Sequence, residues 1–140
     1  MNNNLQTADY TRPAEVTAPS ARWQLTAVIR DGGAGGFSLA LGEWDGQPSV
    51  GLRWNGSSAD QPKGNPLTST HPTWMILPNQ LLVGVLGTTW LENLSGRGTG
   101  QIDAEALHQA MNRLLPPSVN VLAHQVERGQ ALLSRLPLRS

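Results

Sequence analysis

The spacing of apolar residues changes once along the chain, near Pro78, and this change limits the possible folds more than any other feature. From Arg22 to Leu77, apolar residues recur at every second position and short turns separate the runs, which is typical of β-strands. After Pro78 they recur three and four positions apart, which is typical of α-helices. The sequence therefore predicts an α+β fold, a four-stranded antiparallel β-meander followed by three helices.

The sheet half of the chain, over 22–77, contains the four predicted strands. The fourth covers Thr73 to Leu77, and Asp45-Gly46 between the second and third strands is a strong hairpin signal. Alternation in the first strand predicts one buried face formed by Trp23, Leu25, Ala27 and Ile29. Alternation in the third strand places Val50, Leu52 and Trp54 together, with Gly51 and Arg53 opposite.

The helical half contains three segments. The first is predicted over 80–94, where Gly84 and Gly87 each weaken a helix by about 1 kcal/mol relative to Ala, or instead allow another backbone to approach. Asp103 is a good N-cap for the second helix, and Ser118 for the third. The third helix has one apolar stripe, formed by Val119, Leu122, Val126, Leu133 and Leu136. The sequence leaves open whether the second and third helices pack on their own sheet, on a second copy or on another protein.

The chain has 140 residues, enough for one domain with one core. Residues 1–21 are polar and lack periodicity, so we expect a disordered N-terminal arm before a single domain over 22–140, with the sheet in 22–77 and the helices in 78–140. The sequence shows neither a secretory signal nor an apolar run of about 18 residues, which favours a cytoplasmic location without membrane contact.

Composition excludes several functional classes. Ten basic and ten acidic residues give zero formal charge, which is not typical of a polycation that binds nucleic acid by bulk charge. The chain has no cysteine, so it has neither a thiolate metal site nor a cysteine nucleophile. The three histidines, His71, His108 and His124, lack metal-ligand spacing, and no catalytic motif is present. We therefore expect a protein that is not an enzyme and has no cofactor or metal.

The tryptophans suggest a binding function. The chain has five Trp but one Phe and one Tyr. Trp23 and Trp74 have apolar neighbours and fit a core, whereas Trp44 in a turn and Trp54 beside Arg53 are candidates for stacking on nucleic-acid bases. Arg30 and Arg53 fall on the polar phase of their strands and are expected to line one sheet face with Lys63. The predicted nucleic-acid-binding residues are Arg30, Trp44, Arg53, Trp54 and Lys63.

A series of features from Phe37 to about Leu86 resembles a known family. A Trp-bearing turn at 43–46 precedes the step Leu52-Arg53-Trp54, and then come the loop segment Pro62-Lys63-Gly64, a strand at 74–77 and a Leu-rich helix. This order is similar to that of the positive-cofactor-four family of single-stranded-DNA-binding transcriptional coactivators and its small bacterial relatives. The resemblance covers about 50 of the 140 residues.

The resemblance implies a curved four-stranded sheet on one helix, dimerisation, and binding of single-stranded nucleic acid by the sheet and its loops. It implies that Arg53, Trp54 and Lys63 contact nucleic acid and that Trp44 stacks. The chain departs from the family in its neutral charge, in the eight residues over 65–72 and in its two additional helices.

Two functions of different class follow. The first is a non-enzymatic, regulatory module that binds single-stranded nucleic acid, DNA rather than RNA, as a homodimer. The alternative is a protein-interaction or regulatory module of a bacterial complex or mobile element, which uses the Trp cluster and the amphipathic helices. A Trp-lined sheet that holds a small ligand ranks third. One face that gathers Arg30, Arg53 and Lys63 favours nucleic acid, and an exposed apolar patch favours a protein partner.

Overall fold

The computed structural model describes residues 10–58 and 60–136 of the chain. The strands are β1 (Trp23–Asp31), β2 (Phe37–Trp44), β3 (Gln47–Trp54), β4 (Leu67–Thr68), β5 (His71–Pro72), β6 (Met75–Ile76) and β7 (Gln101–Ile102). The helices are α1 (Leu82–Ser95), α2 (Ala104–Leu114) and α3 (Pro117–Ser134). The predicted α+β class is confirmed, with an antiparallel sheet and three helices.

The sheet differs from the predicted meander in its strands. It has five strands in the order β6-β3-β2-β1-β7, and β4 pairs with β5 in a separate small sheet. Strands β1 to β3 form the predicted meander, and Asp45 and Gly46 form its second turn with φ of 51° and 81°. The predicted fourth strand is shorter, at Met75–Ile76. The added edge strand β7 is a two-residue segment between α1 and α2, too short to show a period.

Apolar side chains cover both faces of the sheet. We call the face that packs against the helices the helix face; its core includes Leu39, Leu41 and Val50 with Leu86 of α1 and Leu107 of α2. The opposite face, which we call the arm face, has its own cluster of Val16, Trp23, Ala40 and Trp74. The sheet is therefore the middle layer of the domain.

Part of the predicted disordered arm forms the outer layer of the arm face. Val16 is 1% exposed, and its carbonyl accepts a hydrogen bond of 2.5 Å from Trp74 Nε1. Tyr10 donates from its hydroxyl to the carboxylate of Asp31 at 3.3 Å. Burial raises the pKa of Tyr10, and the negative charge of Asp31 raises it further. The expectation of disorder is thus wrong for residues 10–21, because Val16 packs with Trp23 and Trp74 and Tyr10 is buried beside Asp31; residues 1–9 lie outside the described residues.

Two irregularities in β1 decide which residues reach each face. The β1–β2 register shifts by one residue between Leu25 and Ala27, and again between Val28 and Arg30. An extra residue in one strand moves the following side chains to the other face. The predicted single face is therefore wrong: Trp23 and Leu25 pack on the arm face, and Ala27 and Ile29 on the helix face.

The helix boundaries follow local chemistry. The Asp103 side chain accepts a hydrogen bond of 3.1 Å from Ala106 N, which confirms the predicted N-cap of α2. Gly96, at φ 67°, ends α1 in the left-handed conformation. The predicted N-cap Ser118 is wrong: α3 begins at Pro117 with Pro116 as its N-cap, because proline fits the first turn of a helix, and Ser118 lies within that turn.

Candidate functional site

The structure divides the predicted nucleic-acid-binding residues between the two faces of the sheet. Arg30 pairs with Leu39, a residue of the helix face, whereas Arg53 pairs with Ser38, which lies on the arm face. Trp44 pairs with Trp23 on the arm face, while Trp54 pairs with Phe37, which packs on the helix face. The expectation that Arg30 and Arg53 line one face is therefore wrong, since opposed residues of paired strands share a face and these partners do not.

Arg53 lies inside the domain. It is 0% exposed, and its guanidinium donates to the carbonyl of Thr73 at 2.5 Å and to the carbonyl of Lys63. Burial lowers the pKa of Arg53. These bonds join the end of β3 to both ends of the 63–73 segment, so the side chain holds a loop in place.

Arg30 is also buried, at 6% exposure, beneath the end of α1. Its guanidinium forms a two-pronged ion pair with Glu92, at 2.9 and 3.1 Å, and donates to the Phe37 carbonyl at 2.7 Å. It also lies 3.9 Å from the centroid of the Phe37 ring. The charge of Arg30 is thus offset by Glu92 within the domain, where it joins the sheet to α1.

Trp44 is half-buried at the hairpin turn. The guanidinium of Arg22 lies 4.7 Å from the centre of its ring, and Arg22 forms an ion pair with Asp45. The hydrogen bond from Arg22 lowers the pKa of Asp45. One side of the indole is therefore already stacked against a cation from the same chain.

Trp54 and Lys63 are the exposed members of the predicted set. Trp54 is 53% exposed and contacts Phe37 edge-on, with ring centroids 6.0 Å apart. Lys63 donates from Nζ to the carbonyl of Thr70 at 2.7 Å. Trp54 and Lys63 lie near each other at the end of β3, because Arg53 bonds to the Lys63 carbonyl and Trp54 pairs with Asn65.

A polar cluster that no sequence pattern predicts lies between the helices. Glu127 of α3 accepts hydrogen bonds from Trp90 Nε1 at 2.5 Å and from His108 Nε2 at 2.9 Å. Burial alone raises the pKa of Glu127, but the hydrogen bonds from His108 and Trp90 and the nearby charge of His124 outweigh it, so the net shift is downward. Helical spacing could not reveal this cluster, since its members lie on three different helices.

The hydrogen bonds of this cluster hold α3 against α1 and α2. A cavity of about 360 Å³ beside it is lined by His108, Asn112, Asn120, His124 and Glu127 together with apolar atoms of α2 and α3. The lining offers no hydroxyl, thiol or lysine to act as a nucleophile. Among residues 10–58 and 60–136, no group of three or more His, Cys, Asp or Glu side chains is arranged to hold a metal ion.

Many large apolar side chains are exposed on α3 and α1. Ala123 is the one buried residue of α3, whose residues 117–134 are all described. Large apolar side chains of α3 and the residues just after it are between 43% and 68% exposed: Val121, Leu122, Val126, Leu132, Leu133 and Leu136. Leu81, Val83 and Leu91 at and within α1 are exposed by 49% to 57%. Leu122, Val126, Leu133 and Leu136 belong to the predicted apolar stripe, Leu132 flanks it, and Val121 lies outside it.

Glycines add to the open surface of α1. A Cβ atom placed on Gly84 or Gly87 meets nothing within 4 Å. The described part of this chain therefore does not make the close backbone approach that was one of the two alternatives for these glycines. No helix within that part is both long enough and apolar enough to span a membrane.

No family model, curated protein or solved structure matches this chain. The resemblance to the positive-cofactor-four family stays a prediction.

Proposed function

We propose that the protein is a non-enzymatic protein-interaction module and that its interaction surface is the apolar face of α3 with the neighbouring exposed residues of α1. The exposure of α3 is the observation that supports this proposal. The helix has 18 residues, buries one of them, and presents leucine and valine to solvent. Exposed apolar patches of this kind mark contact sites for proteins.

The energetics favour a covered α3. Full burial of a leucine or valine side chain contributes about 1.5–3 kcal/mol. The exposed leucines and valines of α3 gain little of this energy within their own domain. The open glycines of α1 each cost about 1 kcal/mol relative to Ala, and the described part of the chain offers no intramolecular contact in return. A protein surface over these helices recovers apolar burial.

The nucleic-acid hypothesis has less support from the described side chains. Of its five residues, Arg30 and Arg53 are buried with partners inside the domain and Trp44 is stacked on Arg22. Trp54 and Lys63 supply one stacking surface and one cation, a small footprint for a polyanion. Nucleic-acid binding is therefore the alternative function that the following experiment tests.

Site-specific photo-crosslinking in cells that express the protein distinguishes the two functions. A photoreactive residue replaces Leu91 of α1 or Leu132 of α3, Trp54 or Lys63 at the end of β3, or, as the control, Gln47 at the exposed start of β3. We expect discrete adducts at Leu91 or Leu132 that protease removes and nuclease does not, and their loss when Leu122→Glu is added. Nuclease-sensitive adducts at Trp54 or Lys63, or protein adducts no stronger at α3 than at Gln47, would overturn the proposal.

A further inference from the structure

The exposed stripe of α3 has the spacing of a coiled-coil seam. Steps of three and four residues connect Val119, Leu122, Val126 and Leu133 of α3 and Leu136 just after it, once Gly129 is included between Val126 and Leu133. We call these six positions the seam. These are the a and d positions of successive heptads. Leu122, Val126, Leu133 and Leu136 are between 43% and 68% exposed, Val119 is half-buried, and a Cβ on Gly129 would meet nothing.

The same seam is symmetric about its midpoint, between Glu127 and Arg128. When a second copy runs antiparallel, Leu122 faces Leu133 of the other helix and Val126 faces Gly129. Leu136, just after the helix end, comes level with Val119, one side of which packs against its own core. Each layer then joins an a position to a d position, and no member of the seam is left without a counterpart. Gly129 at the centre leaves room for Val126 and lets the two helices approach closely.

Charge does not oppose this pairing. The positions that flank the seam within α3 are Ser118, Ala123, Gln125, Gln130 and Leu132, none of which is charged. Glu127 and Arg128 lie outside the seam, and Glu127 is held by Trp90 and His108 of its own domain. Two copies therefore bring apolar and neutral polar side chains together, and like charges do not face each other.

We infer that the partner of α3 is a second copy of this chain, joined in a two-fold antiparallel α3–α3 pair with Leu122 against Leu133 of the other copy. An isologous contact of this kind is self-complementary and closes at two subunits. It covers a helix about 27 Å long that the domain leaves open. The inference rests on the proposed protein-interaction function and names the occupant of its surface.

Sedimentation over a concentration series, from about 1 to 200 µM, tests the occupant. We expect the wild-type chain to reach twice the monomer mass, and Leu122→Glu and Leu133→Glu each to weaken dimerisation at least about tenfold, or about 1.4 kcal/mol. Val121→Glu is the matched control, because Val121 is 57% exposed on the same helix but lies outside the seam. Far-ultraviolet circular dichroism verifies that each variant keeps its helices. A wild-type monomer throughout, or equal weakening by Val121→Glu, overturns the inference.

Disulfide formation tests the direction of pairing, since the chain has no cysteine of its own. In the antiparallel pair, two copies of position 122 lie about 16 Å apart along the helix axis, too far for a disulfide, whose Cα atoms are about 4.4–6.8 Å apart. We expect a mixture of Leu122→Cys and Leu133→Cys to cross-link under mild oxidation, and neither variant to cross-link alone. Cross-linking of Leu122→Cys alone indicates a parallel pair and overturns the inference.

The two proposals fail in different ways. A wild-type monomer in sedimentation together with protein adducts at Leu132 of a mass other than that of a second copy rejects the α3–α3 pair and leaves the interaction function in place. The absence of α3-specific protein adducts rejects both.

Discussion

Trp23 lies directly against Gly42 of the neighbouring strand. A Cβ atom at position 42 would be 2.4 Å from Trp23 Cη2 and 2.5 Å from the Gln24 carbonyl oxygen. Trp74 lies similarly over Gly51, where a Cβ would be 3.1 Å from Trp74 Cβ. The missing side chains of Gly42 and Gly51 therefore make space for the two indoles, which are 2% and 3% exposed.

We expect Gly42→Ala to lower the free energy of unfolding by about 1–3 kcal/mol, because the added methyl group overpacks the Trp23 site and its backbone. Urea unfolding followed by tryptophan fluorescence at one fixed protein concentration measures this change. Gly84→Ala is the control, since its methyl group meets nothing and removes the helix penalty of glycine. It should raise the free energy of unfolding by up to about 1 kcal/mol. Equal effects of the two substitutions would contradict the packing of Trp23 on Gly42.

The parts of the fold predicted from sequence are those that depend on local chemistry. Asp45-Gly46 specifies its turn, Asp103 specifies a helix N-cap, and the change of period at Pro78 separates sheet from helices. The bulges of β1 could not be predicted, because an inserted residue leaves the alternation of apolar letters unchanged while it exchanges the faces. The arm was missed because its buried residues, Tyr10 and Val16, contact residues 21 and 58 positions away, Asp31 and Trp74.

The candidate site was less predictable than the fold. The sequence correctly placed Trp54 with Val50 and Leu52, and Arg53 on the opposite face. Whether a cation on a polar phase is exposed depends on what covers that face, and here Glu92 and the 63–73 segment cover Arg30 and Arg53. The seam of α3 is visible in the sequence as a stripe, but only the structure separates a buried stripe from an open one.

Arg53→Ala should destabilise the domain. Removal of the guanidinium leaves the carbonyls of Thr73 and Lys63 without their charged donor, and hydrogen bonds to charged groups contribute about 1.5–3 kcal/mol. We expect the free energy of unfolding to fall by about 2–4 kcal/mol, measured by urea unfolding. Arg113→Ala, at an exposed position of α2, should change it by less than about 0.5 kcal/mol. An Arg53→Ala variant as stable as the wild type would contradict the structural role of these two hydrogen bonds.

The docking of α3 should depend on pH through Glu127. Its pKa is lowered in the folded protein, so its contribution to stability is complete above the ordinary glutamate range, near about 4.3. The contribution is lost as the pH falls through the lower folded value. Because the side chain is partly exposed, we expect the change to be about 1 kcal/mol or less.

Hydrogen exchange of the α3 amides, corrected for intrinsic rates, measures this dependence. In the wild type we expect α3 protection to fall relative to β2 below about pH 4.3. In Glu127→Gln, α3 protection should already be lower at neutral pH and should change less across the acid window. Glu105→Gln, at an exposed position of α2, serves as the control and should behave as the wild type does. An unchanged pH profile in Glu127→Gln would show that another group controls the docking of α3.

Trp54 and Lys63 decide the competing function. Anisotropy titration of a labelled single-stranded oligonucleotide measures this binding. Low salt screens charges least, so even weak electrostatic binding is detected under that condition. If the protein-interaction proposal is right, we expect Trp54→Ala and Lys63→Ala to leave both folding and α3-mediated cross-linking unchanged. The wild-type protein should bind the single-stranded oligonucleotide no more tightly than it binds a duplex. Preferential single-strand binding that quenches tryptophan emission and falls about 5- to 150-fold in Trp54→Ala, the loss of one stacked base, would instead make the end of β3 the functional surface.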